Sequence, residues 1–235
     1  MLFVTLHDSC LKIRLLWNPY QGIPYPHIRE SLIKLCAGRI GHLLNVNSLA
    51  NDTGISHTTA RNWLSLLEAS YVTFFLQPYY TNISNRLVKS PKLYFYDVGL
   101  AAFLLGIENS KQISRDPLRG NLFENMVIAE ALKYRFNQGK RSNLFFYRDS
   151  KGNEVDLLFV NGSDIFPIEV KAGMTINRDY FKGLKHFAKL FPDNIPWGSG
   201  LVYSGEEAQR RMDIAVVPYQ HVDDLFSSSD DYGER

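Results

Sequence analysis

Asp156, Glu169 and Lys171 have residue types and a spacing that suit them to act together. They fall in Glu154-Val155-Asp156-Leu157-Leu158-Phe159-Val160, then Asn161-Gly162-Ser163-Asp164, then Ile165-Phe166-Pro167-Ile168-Glu169-Val170-Lys171. Two apolar runs joined by a short polar segment with a glycine predict two strands and a tight turn. Side chains alternate faces along a strand, so Asp156 shares a face with Leu158 and Val160, and Glu169 shares one with Lys171. If the turn is residues 161–164, Val160 pairs with Ile165 and Asp156 lies opposite Glu169. If it is the two-residue Asn161-Gly162 turn, Asp156 faces Pro167 and is diagonal to Glu169. Either register gathers two carboxylates and an ammonium on one face, whereas a three-residue loop separates them.

Like charges directly opposite each other destabilise a strand pair. A hard divalent cation with oxygen ligands offsets that repulsion. In this arrangement Asp156 and Glu169 hold Mg²⁺ (or Mn²⁺), helped by the carbonyl of Val170. Lys171 then stands beside the metal, where it could orient or deprotonate an attacking water or balance transition-state charge. The other reading of the same spacing is an exposed strand face on which Asp, Glu and Lys merely pair.

Asp156 followed by Glu169-Val170-Lys171 resembles the core of the PD-(D/E)xK, or restriction-endonuclease-like, superfamily. Members carry an acidic residue on a preceding helix, and Glu124 occupies that place. A wider ordered set, Gly120-x-Leu122-Phe123-Glu124-Asn125, Tyr147-Arg148-Asp149, Asn153-Glu154-Val155-Asp156 and Pro167-Ile168-Glu169-Val170-Lys171-Ala172-Gly173, resembles a prokaryotic family of AAA-type ATPases. That family has a C-terminal winged helix and a nuclease-like domain. The resemblance spans residues 32–219 and implies a metal-dependent nuclease site of Glu124, Asp156, Glu169 and Lys171. It also implies DNA and an ATPase domain or partner chain as associates. No Gly-x-x-x-x-Gly-Lys-[Ser/Thr] phosphate loop occurs in the sequence, so ATP hydrolysis is not expected of this chain. Residues 1–25 do not continue the family pattern.

Composition is ordinary for a globular protein: 235 residues, 45% hydrophobic and 21% charged. The net charge of +2 sets up no global field for nucleic acid, so any basic patch must be local. Cys10 and Cys36 suggest isolated thiols in a reducing compartment, and the six histidines lack zinc spacing. The longest apolar stretch, residues 93–107, contains Asp97 and is shorter than the roughly 20 residues a membrane span needs. The N-terminus has no signal-peptide pattern, and a cytoplasmic location is expected.

The elements that must position these groups are an α+β or α/β arrangement. Residues 26–107 suggest a helical, winged-helix module: a helix over 32–44, a short helix over 48–53 ending at Gly54, and a second helix from an N-cap at Ser56 to about Ala69. This second helix buries Ala60, Trp63, Leu64 and Leu67 and turns His57, Thr58, Arg61, Asn62 and Ser65 outward. The layout resembles a helix-turn-helix, with wing strands over 72–78 and 86–95. Arg61 and Asn62 on the helix, with Arg86, Lys89 and Lys92 on the wing, are the candidate DNA contacts; protein docking is the alternative use of such a module. Residues 108–119 form a polar linker. Residues 120–226 form the restriction-endonuclease-like mixed sheet with flanking helices, beginning with a helix opened by Glu124. Residues 227–235 form a disordered tail. Three function classes follow: a Mg²⁺-dependent nuclease, a non-catalytic DNA- or protein-binding module, and a regulatory domain for an ATPase.

Overall fold

The computed structural model describes residues 26–80 and 88–231. Segment 1–25, residues 232–235 and Arg86 of the expected wing lie outside the described residues. Two compact units are present: residues 26–75 with 90–125, and residues 76–80 with 88–89 and 126–231.

In the first unit, α1 (Pro26–Ala37) buries Leu32, Ile33, Cys36 and Ala37. It ends before Gly38 instead of continuing to Leu44, because tight turns at Gly38 and Arg39 close it and Leu43 leaves to bridge Lys92. Helix α2 (Val46–Thr53) is capped by Asn45, whose side chain accepts from the Ser48 amide at 3.0 Å. Gly54 closes it at φ 69, a left-handed conformation that glycine adopts without steric cost. Helix α3 (His57–Ala69) starts at the expected Ser56 cap, which accepts from the Thr59 amide at 3.1 Å, and buries Ala60, Leu64 and Leu67. Trp63 is only half-buried, beneath the Arg29 guanidinium.

Strand β1 (Thr73–Pro78) begins in this unit, which also holds β2 (Lys92–Phe95), α4 (Val98–Leu104) and α5 (Ser110–Ile113). Asp97 caps α4 by accepting from Gly99 and Leu100. Pro91, which has no amide to donate to a ladder, stands just before β2. The expected linker contains a helical turn: Asn109 and Gln112 form a reciprocal capping box around α5.

Helix α6 (Arg119–Asn137) begins before Glu124, so Glu124 sits in its second turn and does not open it. The second unit continues with β3 (Leu144–Arg148), β4 (Glu154–Asn161) and β5 (Asp164–Lys171). A 3₁₀ turn at Arg178–Phe181 leads into α7 (Lys182–Leu190). Then come β6 (Ser199–Tyr203), β7 (Gln209–Arg211), β8 (Ile214–Pro218) and α8 (Val222–Asp231). Helix α8 carries the chain past Phe226, so residues 227–231 are helical and not part of an unstructured tail.

The fold is mixed α/β: N-terminal helices, then an eight-stranded mixed sheet flanked by helices. Strand order is β2-β1-β3-β4-β5-β6-β8-β7. The β3–β4, β4–β5 and β7–β8 pairs are antiparallel, while β5–β6 and β6–β8 are parallel. Helix α7 is the crossover between parallel β5 and β6 and packs on β4 and β5. Leu184 and Phe187 of α7 join Leu158, Leu201 and Tyr203 in the core. On the other face Phe226 of α8 stacks on Phe159, and Gly200 lies so close to Leu225, Ile168 and Phe166 that a β-carbon would be crowded. Among the described residues no helix is long and apolar enough to cross a membrane.

Candidate functional site: a buried carboxylate pair on a hairpin

Strands β4 and β5 pair in the first of the two expected registers: Val160 with Ile165, Leu158 with Pro167 and Leu157 with Ile168. Asn161 pairs with Asp164 across Gly162-Ser163, and Gly162 takes φ 63. Continued one step, this register sets Asp156 opposite Glu169. There the backbone ladder gives way to side-chain bonding. Asp156 Oδ2 accepts from the Val170 amide at 2.9 Å and from Lys171 Nζ at 3.1 Å, and Lys171 Nζ reaches Glu169 Oε1 at 2.6 Å.

Burial decides what kind of cluster this is. Asp156 is 6% exposed and Glu169 7%, which removes the reading of an exposed, solvated ion-pair face. Lys171 links the two carboxylates, yet Glu169 Oε2 is buried and accepts no hydrogen bond from any of the described residues. A buried oxygen without a donor costs roughly 1–3 kcal/mol, more when charged. Burial, and next the Asp156 carboxylate, push the Glu169 carboxyl up to about 8, with Lys171 pulling the other way. Burial works against the Lys171 ammonium, but Asp156 and Glu169 outweigh it and hold its pKa above the ordinary lysine value.

The donor chemistry suits a hard cation. Mg²⁺ is typically held by one or two carboxylates and retains several waters, so a two-carboxylate site with one unmatched oxygen fits it. Among the described residues no group of three or more His, Cys, Asp and Glu is arranged to hold a metal.

Two supports were not apparent as such in the sequence. The Asp149–Asn153 stretch is a tight turn organised by the Asp149 carboxylate. It accepts from the amides of Lys151 (2.8 Å) and Asn153 (2.9 Å) and from Asn153 Nδ2 (2.7 Å), and the turn passes through Gly152 at φ 85. Burial opposes ionisation of Asp149, but these bonds and His186, 3.4 Å away on α7, leave its pKa below the usual value. The turn fixes where β4, and with it Asp156, begins. The second support is Gly183 at the start of α7. A β-carbon there would lie 2.2 Å from the Glu154 carbonyl oxygen and 3.1 Å from Glu169 Oε2. The helix can approach the carboxylates this closely only because residue 183 has no side chain.

Glu124 lies in the first unit, on α6, where its Oε1 accepts from Lys92 Nζ at 2.9 Å and from the Tyr94 hydroxyl at 2.5 Å. Asn125, buried next to it, accepts from the Phe95 amide (2.7 Å) and donates to the Phe95 carbonyl (2.8 Å). Asn121 donates to the Ile40 carbonyl. The motif at residues 120–125 therefore ties α6 to β2 and to the turn after α1. This corrects the expectation for Lys92: at 2% exposure and committed to Glu124, it cannot serve as a phosphate contact on a basic wing. Arg61 and Asn62 are exposed on α3, and Lys89 is exposed in the second unit.

Residues 19–111 match a domain of unknown function (DUF8612), and residues 119–222 match a second domain of unknown function (DUF4143). The boundary between the two matches falls in the stretch that includes α5. Among curated proteins, the uncharacterized protein Mb2031c of Mycobacterium bovis and the uncharacterized protein Rv2008c of Mycobacterium tuberculosis are each 30% identical over 135 residues. That alignment takes in 57% of this chain and 30% of each relative, so the chain spans less than a third of the length of the relatives it resembles.

Proposed function

We propose that the β4–β5 hairpin carries a Mg²⁺-dependent phosphodiesterase site acting on nucleic acid, in a protein that works with an AAA-type ATPase. The observation that carries this reading is Glu169: a buried carboxylate with an unmatched oxygen, directly across from a second carboxylate, with a lysine bridging them. Asp156 and Glu169 would hold the cation. When bound, it supplies Lewis acidity and a water of lowered pKa.

The chain's own residues divide the remaining work. Asp156 keeps one oxygen on the Val170 amide, which fixes its orientation and leaves the other oxygen to a ligand. Lys171 remains an ammonium, since two carboxylates raise its pKa; it suits charge balance and water positioning better than proton abstraction. Gly183 keeps α7 close enough to shield Glu169 from solvent.

Cleavage of duplex, single-stranded and branched DNA, assayed with Mg²⁺ and Mn²⁺, tests the proposal. Wild type should cleave at least one class. Asp156→Asn and Lys171→Ala, both still folded, should lose at least about a hundredfold. No metal-dependent cleavage by wild type on any substrate sinks it.

One observation favours a second reading, in which the fold binds without turnover. Glu124, which the resemblance places in the catalytic set, is engaged by Lys92 and Tyr94 as part of the packing of the first unit. Under that reading Glu124→Gln destabilises the protein and affects no reaction.

A further inference from the structure

A groove of about 330 Å³ in the second unit is lined by Arg178, Phe181, Lys185, Arg211, Met212 and Ile214. Its volume is at the low end of the ~300–1,000 Å³ typical of ligand pockets. Three cations converge on it and no acid lines it. Among the described residues the Arg178 and Lys185 side chains make no hydrogen bond or ion pair, and both residues are exposed. Arg211 lies over the Phe181 ring at 5.8 Å with its Nε on Gln209. The nearest acids in sequence are Asp179, which pairs with Lys182 at 2.9 Å, and exposed Asp213.

The floor is apolar: Phe181 and Ile214 are buried, while Met212 is 91% exposed at the groove and takes φ 57. An exposed methionine at positive φ on a hairpin corner costs stability and contributes nothing to the core. Unpaired cations around an apolar floor match a ligand that alternates phosphates with apolar sugar and base surface.

We infer that this groove binds the backbone of a single nucleic-acid strand, with Arg178, Lys185 and Arg211 on phosphates and Met212 against a sugar or base. This rests on the phosphodiesterase reading and names the surface that would hold its substrate. The groove and the carboxylate pair meet at one segment: Phe181 and Lys185 face the groove, and Gly183 between them faces Glu169.

The test is binding of an end-labelled single-stranded oligonucleotide, followed by fluorescence anisotropy over a range of salt concentrations in EDTA. Arg178→Ala/Lys185→Ala should weaken binding at least about tenfold and flatten the salt slope by about 1.4, the value for two lost contacts to a single strand. Met212→Glu, at an exposed position that cannot unfold a core, should also weaken binding several-fold. Unchanged affinity and slope in both variants would overturn the assignment. So would a mononucleotide or poly-glutamate that binds as tightly as the oligonucleotide and shows the same loss in Met212→Glu. Asp156→Asn should bind the strand at least as tightly as wild type. Failure of the proposed chemistry therefore leaves this measurement unmoved, and failure here leaves the metal site to be judged by cleavage.

Discussion

Glu169→Gln should make the metal-free protein more stable, and most clearly so at neutral and higher pH. In the unfolded chain the Glu169 carboxyl loses its proton near 4.5, whereas in the folded protein it keeps it up to about 8. A group whose pKa folding raises contributes fully to stability below its unfolded value, and that contribution is lost as pH rises through the folded value. Between pH 4.5 and about 8 the metal-free protein therefore loses stability as pH rises. At 1.36 kcal/mol per pH unit the loss is about 3 kcal/mol at pH 7, with a ceiling of about 5 kcal/mol above pH 8. Lys171 does not contribute to this slope. Its pKa is raised above the ordinary lysine value, so its contribution is complete throughout the window and lost only at more alkaline pH. Glutamine keeps the shape of protonated Glu169 and an oxygen for the Lys171 ammonium, and it holds the trio at zero net charge at every pH, where wild type goes to −1 once Glu169 ionises. Urea unfolding in EDTA between about pH 5 and pH 8, followed by circular dichroism, measures the effect. Wild type should weaken with rising pH relative to Glu169→Gln, and the variant should be the more stable by about 3 kcal/mol at pH 7. A variant equal to or weaker than wild type at pH 7, with the same pH dependence, refutes the reasoning.

Metal binding should follow the same proton: calorimetric Mg²⁺ or Mn²⁺ affinity should rise from about pH 6 to about pH 8 with proton release, and Asp156→Asn should abolish it. Equal weak binding by both proteins removes the metal site. Gly183→Ala forces a β-carbon into the Glu154 carbonyl, so α7 must lift; a loss of about 1–3 kcal/mol is expected in urea unfolding, and full retention of stability would show that α7 is less closely held. Lys92→Met takes the ammonium from a Glu124 side chain that is only 14% exposed, and should cost about 3–5 kcal/mol, with Lys92→Met/Glu124→Gln recovering much of it. If Lys92→Met instead leaves stability unchanged and weakens DNA binding, Lys92 belongs to an interface after all.

The hairpin was legible because its information is local. Period-two alternation and a short polar turn define the faces of Asp156 and Glu169, leaving only a choice between two registers, and the structure adopts one of them. The caps at Ser56 and Gly54 were legible for the same reason, each acting within a few residues of itself. What escaped depends on partners distant in the chain. Lys92 looks like a wing cation until Glu124, 32 residues on, is placed against it, and Asn125 reaches Phe95 across 30. Gly183 carries no signal of its own in the sequence, because only the packing of α7 on β4 brings the Glu154 carbonyl to where its β-carbon would be. The short strand β7 carries Gln209, Arg210 and Arg211, polar residues on a sheet edge, and gives no hydrophobic signal.

The Gly162-Ser163 connection has a consequence for how this site can change over time. Every side chain on β5 owes its face to the number of residues between Asn161 and Asp164. One residue inserted or deleted there moves Glu169 and Lys171 to the side of Ile168 and Val170, where they would meet the apolar packing beneath α8, and brings Ile168 and Val170 to Asp156. Two residues inserted restore the faces. Relatives that share this chemistry should therefore vary freely in what they place in the turn, and differ in its length only by even steps.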